Sequence, residues 1–418
     1  MRLSQFQPSL DVVESDRAAL ARTLTGLADI NSGSLHADGV NRMGETVAKL
    51  FEPLGAGRET LEVAPRESVD TDGETRSQPL GRALRLRKHP DAPLQVFLGG
   101  HLDTVFGIDH PFQSTRALDR DTLNGPGVAD LKGGILVMLQ ALAALEASPW
   151  AGRLGWEVLL NPDEEIGSPG SAPLLVEAAR RNHLGLLFEP AMPDGTLAYN
   201  RKGSGNFTAV ARGRAAHAGR EHHLGRNAIR ALADFVVGVN SLNGQRIGVT
   251  VNPGFIHGGG AVNIVPDTAI LRFNVRIARA EDEAWVLDGV NALLDDINAR
   301  EGLEIALHGG FGRKPKRLSA SNRALFDALR DCGGALDVPV RWQDTGGCCD
   351  GNNLAAADLP NIDTLGAVGA HIHSARERVS LSSITERARL TALLLLRLAS
   401  GDISPPPQFR PAEETPSC

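Results

Sequence analysis

The sequence predicts an α/β protein: a mostly parallel sheet covered by helices on both sides, interrupted by a smaller inserted α+β unit. Two observations predict it. Apolar runs that each end in polar chemistry, LQVFLGG before His101, LGWEVLL before Asp163 and LGLLFEP with Glu189, alternate with helix-like segments at Gly134–Glu146 and Ala172–Arg180. Strands apolar on both faces and separated by helices belong to a parallel sheet buried on both sides. From about Gly203 to Arg313 the texture changes to β-α-β-β-α-β, the order of a ferredoxin-like unit.

In chain order, Ser15 is the expected cap of a first helix over Arg17–Ala28. Within the insertion, GNFTAVARG, IGVTVNPGFIHGG, TAILRFNVRIA and LEIALHG read as strands, and Arg226–Leu242 and Ala280–Arg300 as helices. Helices of the α/β domain resume at Asn322–Asp331 and Ile384–Ala399, and the Pro-rich tail ISPPPQFRPAEETPSC reads as disordered. The domains are therefore placed at 1–202 and 314–402 for the two parts of the α/β domain, 203–313 for the insertion, and 403–418 for the tail.

The 418 residues exceed what one ordinary core organises, which agrees with two units. A net charge of -7 argues against nucleic acid, and the few aromatics leave no stacking platforms for single strands. Asp11, Glu14 and Asp16 stand where a signal peptide needs its apolar core, so a cytoplasmic protein is expected. The longest apolar stretch, from Ile135, is broken by Gln140 and ends at Glu146, which is short for a membrane span. Four cysteines, two of them adjacent at Cys348 and Cys349, make neither a disulfide framework nor a CxxC site. Each of that pair is expected either buried as a small apolar group or facing the site as a reactive thiol.

Chemistry concentrates where apolar runs end. His101 and Asp103 stand in GGHLDTV, Asp130 in GPGVADLKGG, Glu164 and Glu165 after Asp163 in PDEEIGSPGS, Glu189 in FEP, and His373 in GAHIHS. A parallel sheet gathers such positions along one edge. Several carboxylates in one crevice repel one another unless cations neutralise them, so metal is expected. Imidazole and carboxylate without thiolate suit zinc, with cobalt or manganese as other occupants. Spacing leaves open how the donors divide between ions. HGGG at His257 has no GxSxG partner and reads as a turn, and His222 and His223 as solvated.

Taken in order, GGHLDTV, GPGVADLKGG, PDEEIGSPGS, FEP, GRAAHAG, AVNIVP and GAHIHS resemble the motifs of the co-catalytic zinc aminoacylase/carboxypeptidase family, most of all its bacterial folate-hydrolysing glutamate carboxypeptidases. The resemblance spans about Ala18 to Leu398 and implies a di-zinc exopeptidase-like catalytic domain with an inserted dimerisation, or lid, domain. It makes Asp130 a bridging ligand, with His101 and Glu189 completing one zinc and Glu165 and His373 the other. Glu164 becomes the general base, and Asp103 the carboxylate that orients the His101 ring. It also implies a cis peptide at Asp130–Leu131 and an oxyanion-stabilising role for His217 across a homodimer. Asn263, Arg276 and Arg313 match substrate-holding positions, and a guanidinium suits a carboxylate.

The implied activity is hydrolysis of an N-acyl amino acid or short peptide with a free C-terminal carboxylate, with no nucleic-acid or membrane partner. A rival in the same class is a deacetylase or desuccinylase of a biosynthetic intermediate. A rival of another class is a silent binding or regulatory relative, against which the intact Glu164 and full ligand set speak.

Overall fold

The computed structural model describes residues 3–406. In chain order, helices α1 (Arg17–Ala28) and α2 (Ala37–Phe51) precede strands β1 (Gly57–Leu61), β2 (Ala83–Lys88) and β3 (Leu94–His101). Helix α3 (Gly133–Glu146), β4 (Leu154–Asn161), α4 (Ala172–Arg181) and β5 (Leu184–Leu187) follow. Next come β6 (Gly203–Arg212), α5 (Ala228–Ser241), β7 (Thr250–Gly258), β8 (Thr268–Ile277), α6 (Asp282–Asn298) and β9 (Glu304–Arg313). The chain returns through α7 (Ala320–Ala335), α8 (Asp350–Ala356), β10 (Asn361–Ile362) and α9 (Leu381–Ser400).

The central sheet has the order β1-β2-β4-β3-β5-β10. Only β2 runs against the rest; β4, β3, β5 and β10 are mutually parallel. Side chains along these strands alternate between two buried layers, as the period of two demands. Val96 and Leu98 join the larger core with α3, α7 and α9, whereas Phe97, Leu159 and Leu187 join Leu175, Ala178 and Leu354 of α4 and α8 on the other face. The sequence therefore reads apolar on both faces because helices cover both.

The inserted unit is an antiparallel sheet of order β7-β8-β6-β9 with α5 and α6 packed on one face, the ferredoxin-like arrangement. It has its own core, built from residues between Phe207 and Ile305. At its root the chain leaves and returns side by side: Arg201 and Lys316 exchange backbone hydrogen bonds at 3.0 Å in both directions.

Several local expectations change. The cap of α1 is Asp16, which accepts from Ala18 N at 2.9 Å, not Ser15. Helix α3 extends a preceding turn to give Val128–Glu146, long and apolar enough to cross a membrane, but it is mostly buried in this core and packs on α9. Of the tail 403–418, Ile403 is ordered against the core and donates its N–H to Arg397 O, while 407–418 lies outside the described residues. His257 lies in β7 rather than in a turn; the turn follows, with Gly259 at φ 81°.

Candidate metal centre and its surroundings

Strands β4, β3 and β5 are neighbours, so their C-terminal ends present Asp163–Glu165, His101 and Glu189 side by side. Asp130 enters this edge on an irregular turn, Val128–Lys132, ahead of α3, and the Asp130–Leu131 peptide is cis. His373 arrives on a loop, itself at φ 61°.

Asp130 lies between the two histidines. Its Oδ1 is 3.1 Å from His101 Nε2 and its Oδ2 3.2 Å from His373 Nε2. His373 Nε2 is also 3.1 Å from Glu165 Oε2, and His101 Nε2 is 4.0 Å from Glu189 Oε2. Donor atoms of His101, Asp130 and Glu165 fall within 4.8 Å of one another, as do those of His101, Glu164 and Glu189. All are buried or nearly so except His373, whose side chain is 51% exposed and marks the side open to solvent.

The electrostatics are those of an acidic cluster short of positive charge. Burial, reinforced by Asp130, pushes the Glu165 carboxyl up to about 8, and burial with Glu164 nearby raises Glu189 well above the usual range. Burial likewise raises Glu164 to about 6, against the pull of Arg313. Asp130 goes the other way: burial opposes it, but the two histidines hold it below the usual carboxylate range. The Asp130 bonds, then those of Glu165, lift His373 to about 11. Carboxylates that resist ionising beside histidines that take up protons form a donor set that a divalent cation satisfies by replacing those protons.

A family model, Peptidase family M20/M25/M40, matches residues 97–397, a span holding all of these donors. The chain belongs to this family. It is therefore a hydrolase of the metallopeptidase and amidohydrolase type, as its motifs implied. It is 29% identical over 405 residues to carboxypeptidase G2 of Pseudomonas sp. (strain RS-16), covering 95% of this chain and 92% of that one. It is 26% identical to succinyl-diaminopimelate desuccinylase 2 of Shewanella loihica, covering 77% and 89%. The fold matches the crystal structure of the Bacillus subtilis YXEP protein, a dinuclear metal-binding peptidase of family M20, at a TM-score of 0.63, covering 92% of this chain and 98% of that one at 14% identity.

Around these candidate donors the chain supplies further buried contacts. Asp103 lies beside the His101 ring, but the nearer acceptor for Nδ1 is its backbone O, at 2.9 Å, and not its carboxylate, whose Oδ1 is 3.4 Å away. Its carboxylate accepts the backbone N–H groups of Glu164 (3.1 Å) and Glu165 (3.2 Å) and the Ser34 hydroxyl (2.6 Å), so the main-chain carbonyl of Asp103 holds the ring and its carboxylate fixes both glutamates. Glu377 was missed. Buried, it accepts the N–H groups of Gly127, Ala129 and Asp130 at 3.2, 2.9 and 3.1 Å and so shapes the turn carrying Asp130. Asp350 was missed too; it binds Ser168, Asn161 and Arg313 beneath Glu164. Only their contacts reveal them, since neither lies in a motif with chemical spacing.

The candidates of the inserted unit form two groups. Asn263 O accepts from Ala218 N at 2.9 Å and His217 bridges to Ile264, so His217 and Asn263 lie together on an exposed edge. His217 Nδ1 accepts N–H bonds from Gly219 and Arg220, each 3.1 Å, which leaves the ring proton on Nε2 as an outward donor. No contact joins these two to the carboxylate cluster among the described residues. Arg276 and Arg313 meet instead at the Cys348 thiol, Nη1 to Sγ being 2.8 and 3.8 Å. Arg276 is half-buried; Arg313 is buried and reaches Glu164. Cys349 is buried and caps α8 by accepting from Gly351 N at 3.3 Å, while Cys348 is half-buried beside the two arginines. His222 and His223 are exposed.

Proposed function

We propose that this chain is a di-zinc hydrolase of N-acyl amino acids or short peptides with a free C-terminal carboxylate. Asp130 would bridge two ions, His101 and Glu189 completing one set and Glu165 and His373 the other; the donors are hard or borderline, which suits zinc and admits cobalt or manganese. When bound, such a pair supplies Lewis-acid polarisation and makes water a stronger acid.

The remaining steps fall to the chain. The observation that carries the reading is Glu164 Oε1: it is buried against the candidate donors and has no hydrogen-bond donor among the described residues. Arg313 Nη2 approaches it to 2.8 Å, but not in line, so the contact is a charge contact and the lone pairs stay free. Glu164 Oε1 takes a proton from the attacking water, and the protonated carboxyl then gives it to the leaving amine nitrogen. Arg276, whose partners are the Asn274 amide and the Cys348 sulfur, has no carboxylate partner among the described residues and is placed to take the substrate carboxylate.

His217 and Asn263 would complete the site of a second copy. Their edge borders exposed Val262 and Ile264, and β7, one of the two edge strands of the inserted sheet, exposes Phe255 and Ile256. An apolar strand edge of this kind favours two-fold pairing, with residues 203–313 as the dimerisation unit. The cytoplasm is the compartment that fits an acidic chain with free thiols.

Carboxypeptidase G2 and the desuccinylases suggest the two arms of the test. Zinc-loaded protein is assayed on N-acyl glutamates, other N-acyl amino acids, dipeptides and N-succinyl diamino acids, each as free acid and carboxamide. Faster cleavage of the acids by orders of magnitude is expected. Equal rates on acid and amide contradict the carboxylate requirement, and a preference confined to succinyl substrates moves the reading to a desuccinylase.

A further inference from the structure

Arg313 occupies a different place from the one its resemblance implies. It is the last residue of β9, at the root of the inserted unit, and is 6% exposed. Its Nη2 reaches four oxygens: Glu164 Oε1 at 2.8 Å, Ser168 Oγ at 2.9 Å, Asp350 Oδ1 at 3.1 Å and the Glu164 carbonyl at 3.2 Å. Two carboxylates thus already face this one guanidinium. A third, from a substrate, would find its charge over-compensated, and Nε is buried without a hydrogen-bond partner among the described residues. Arg276, by contrast, has no carboxylate partner among the described residues.

We infer that Arg313 is a positioning residue for Glu164 rather than part of the substrate clamp, and that Asp350 and Ser168 hold Arg313 in turn. The inference rests on Glu164 being the base. Its geometry gives the reason for the arrangement: one guanidinium spans both the side chain and the carbonyl of Glu164, so rotamer and backbone are fixed together. Asp350 is fixed in its own right by Asn161 Nδ2 at 2.7 Å and by the Ser168 hydroxyl at 2.5 Å. The anchor therefore belongs to the catalytic unit although Arg313 comes from the insertion.

Clamp and positioner separate by substrate charge. Arg313→Ala is expected to lower kcat by about 100-fold, the scale of a misplaced catalytic group, with KM nearly unchanged. The loss should have the same factor on a free acid and on its carboxamide, and added guanidinium ion should restore part of kcat. Arg276→Ala should instead raise KM on the acid and lose its penalty on the carboxamide. If Arg313→Ala shows that second pattern, Arg313 is a clamp and the inference is overturned. Should the alanine variant not fold, Arg313→Lys carries the same comparison, and wild-type kcat and KM in it also overturn the inference. Wild-type inactivity on every acid would count against the proposed function alone. The positioning role is then read from a crystal structure of the Arg313 variant: Glu164 displaced from its rotamer supports it, and Glu164 unmoved refutes it.

Discussion

Replacing Asp363 by asparagine tests how the two units are joined. Arg201 and Lys316 lie on the two crossings between them, and both close on this one carboxylate, Arg201 at two points (2.8 and 2.9 Å) and Lys316 Nζ at 2.7 Å. All three side chains are buried. Asparagine keeps the shape but removes the charge, leaving two buried cations without their anion. Breaking a buried pair in this way costs about 3 to 5 kcal/mol. At about 2 °C of Tm per kcal/mol for a large unit, the transition of Asp363→Asn should fall by about 6 to 10 °C at neutral pH. The pH dependence has a definite sign. Burial alone would raise the Asp363 carboxyl, but Arg201 and Lys316 bring it down to about 2. A depressed group stabilises above its unfolded value and ceases to do so as pH falls through its folded one. The gap between wild type and variant should thus be constant from about pH 5 to 8 and close only below about pH 4. Calorimetric melts of both proteins across that range are the assay. A gap under about 2 °C at neutral pH, or one that closes as pH rises, would refute the reasoning.

Two further outcomes concern the donors and the dimer. Asp130→Ala should weaken both ions together because one carboxylate serves two charges, whereas His373→Ala should mainly weaken one; zinc titration against a chelator distinguishes them, and identical single-ion losses exclude a bridge. His217→Ala and Glu164→Gln subunits, each inactive alone, should regain about one quarter of wild-type activity when mixed, since about half the dimers are mixed and one of their two sites is intact. No recovery, with exchange confirmed by mass, places His217 outside the partner's site.

The sheet and its edge were legible because β3, β4 and β5 announce themselves as apolar runs ending in polar residues. Helix α2 was not. Gly39 and Gly44 lower its helical preference, yet Gly39 is required there, since a Cβ would collide with the Asn31 carbonyl oxygen. Strand β1, GRETL, is an exposed edge with no apolar run to mark it, and β2 alternates arginine with leucine. The donors themselves could be proposed from motif order, but their supports could not. Glu377, Asp350 and the Arg201–Asp363–Lys316 cluster act through contacts between residues far apart in the chain, which only the folded backbone brings together. The same holds for Arg313, whose motif position suggested substrate and whose contacts lie with Glu164.

The central claim is that adjacent glutamates divide the work, Glu165 holding metal and Glu164 moving protons. Zinc content and kcat measured on the same preparation of Glu164→Gln test it most directly, on a substrate that the wild type cleaves. An amide cannot accept the water's proton, so kcat should fall by about 10² to 10⁴ at least, with two zinc ions retained per chain. Loss of an ion along with activity, or a kcat close to wild type with both ions present, would contradict the account.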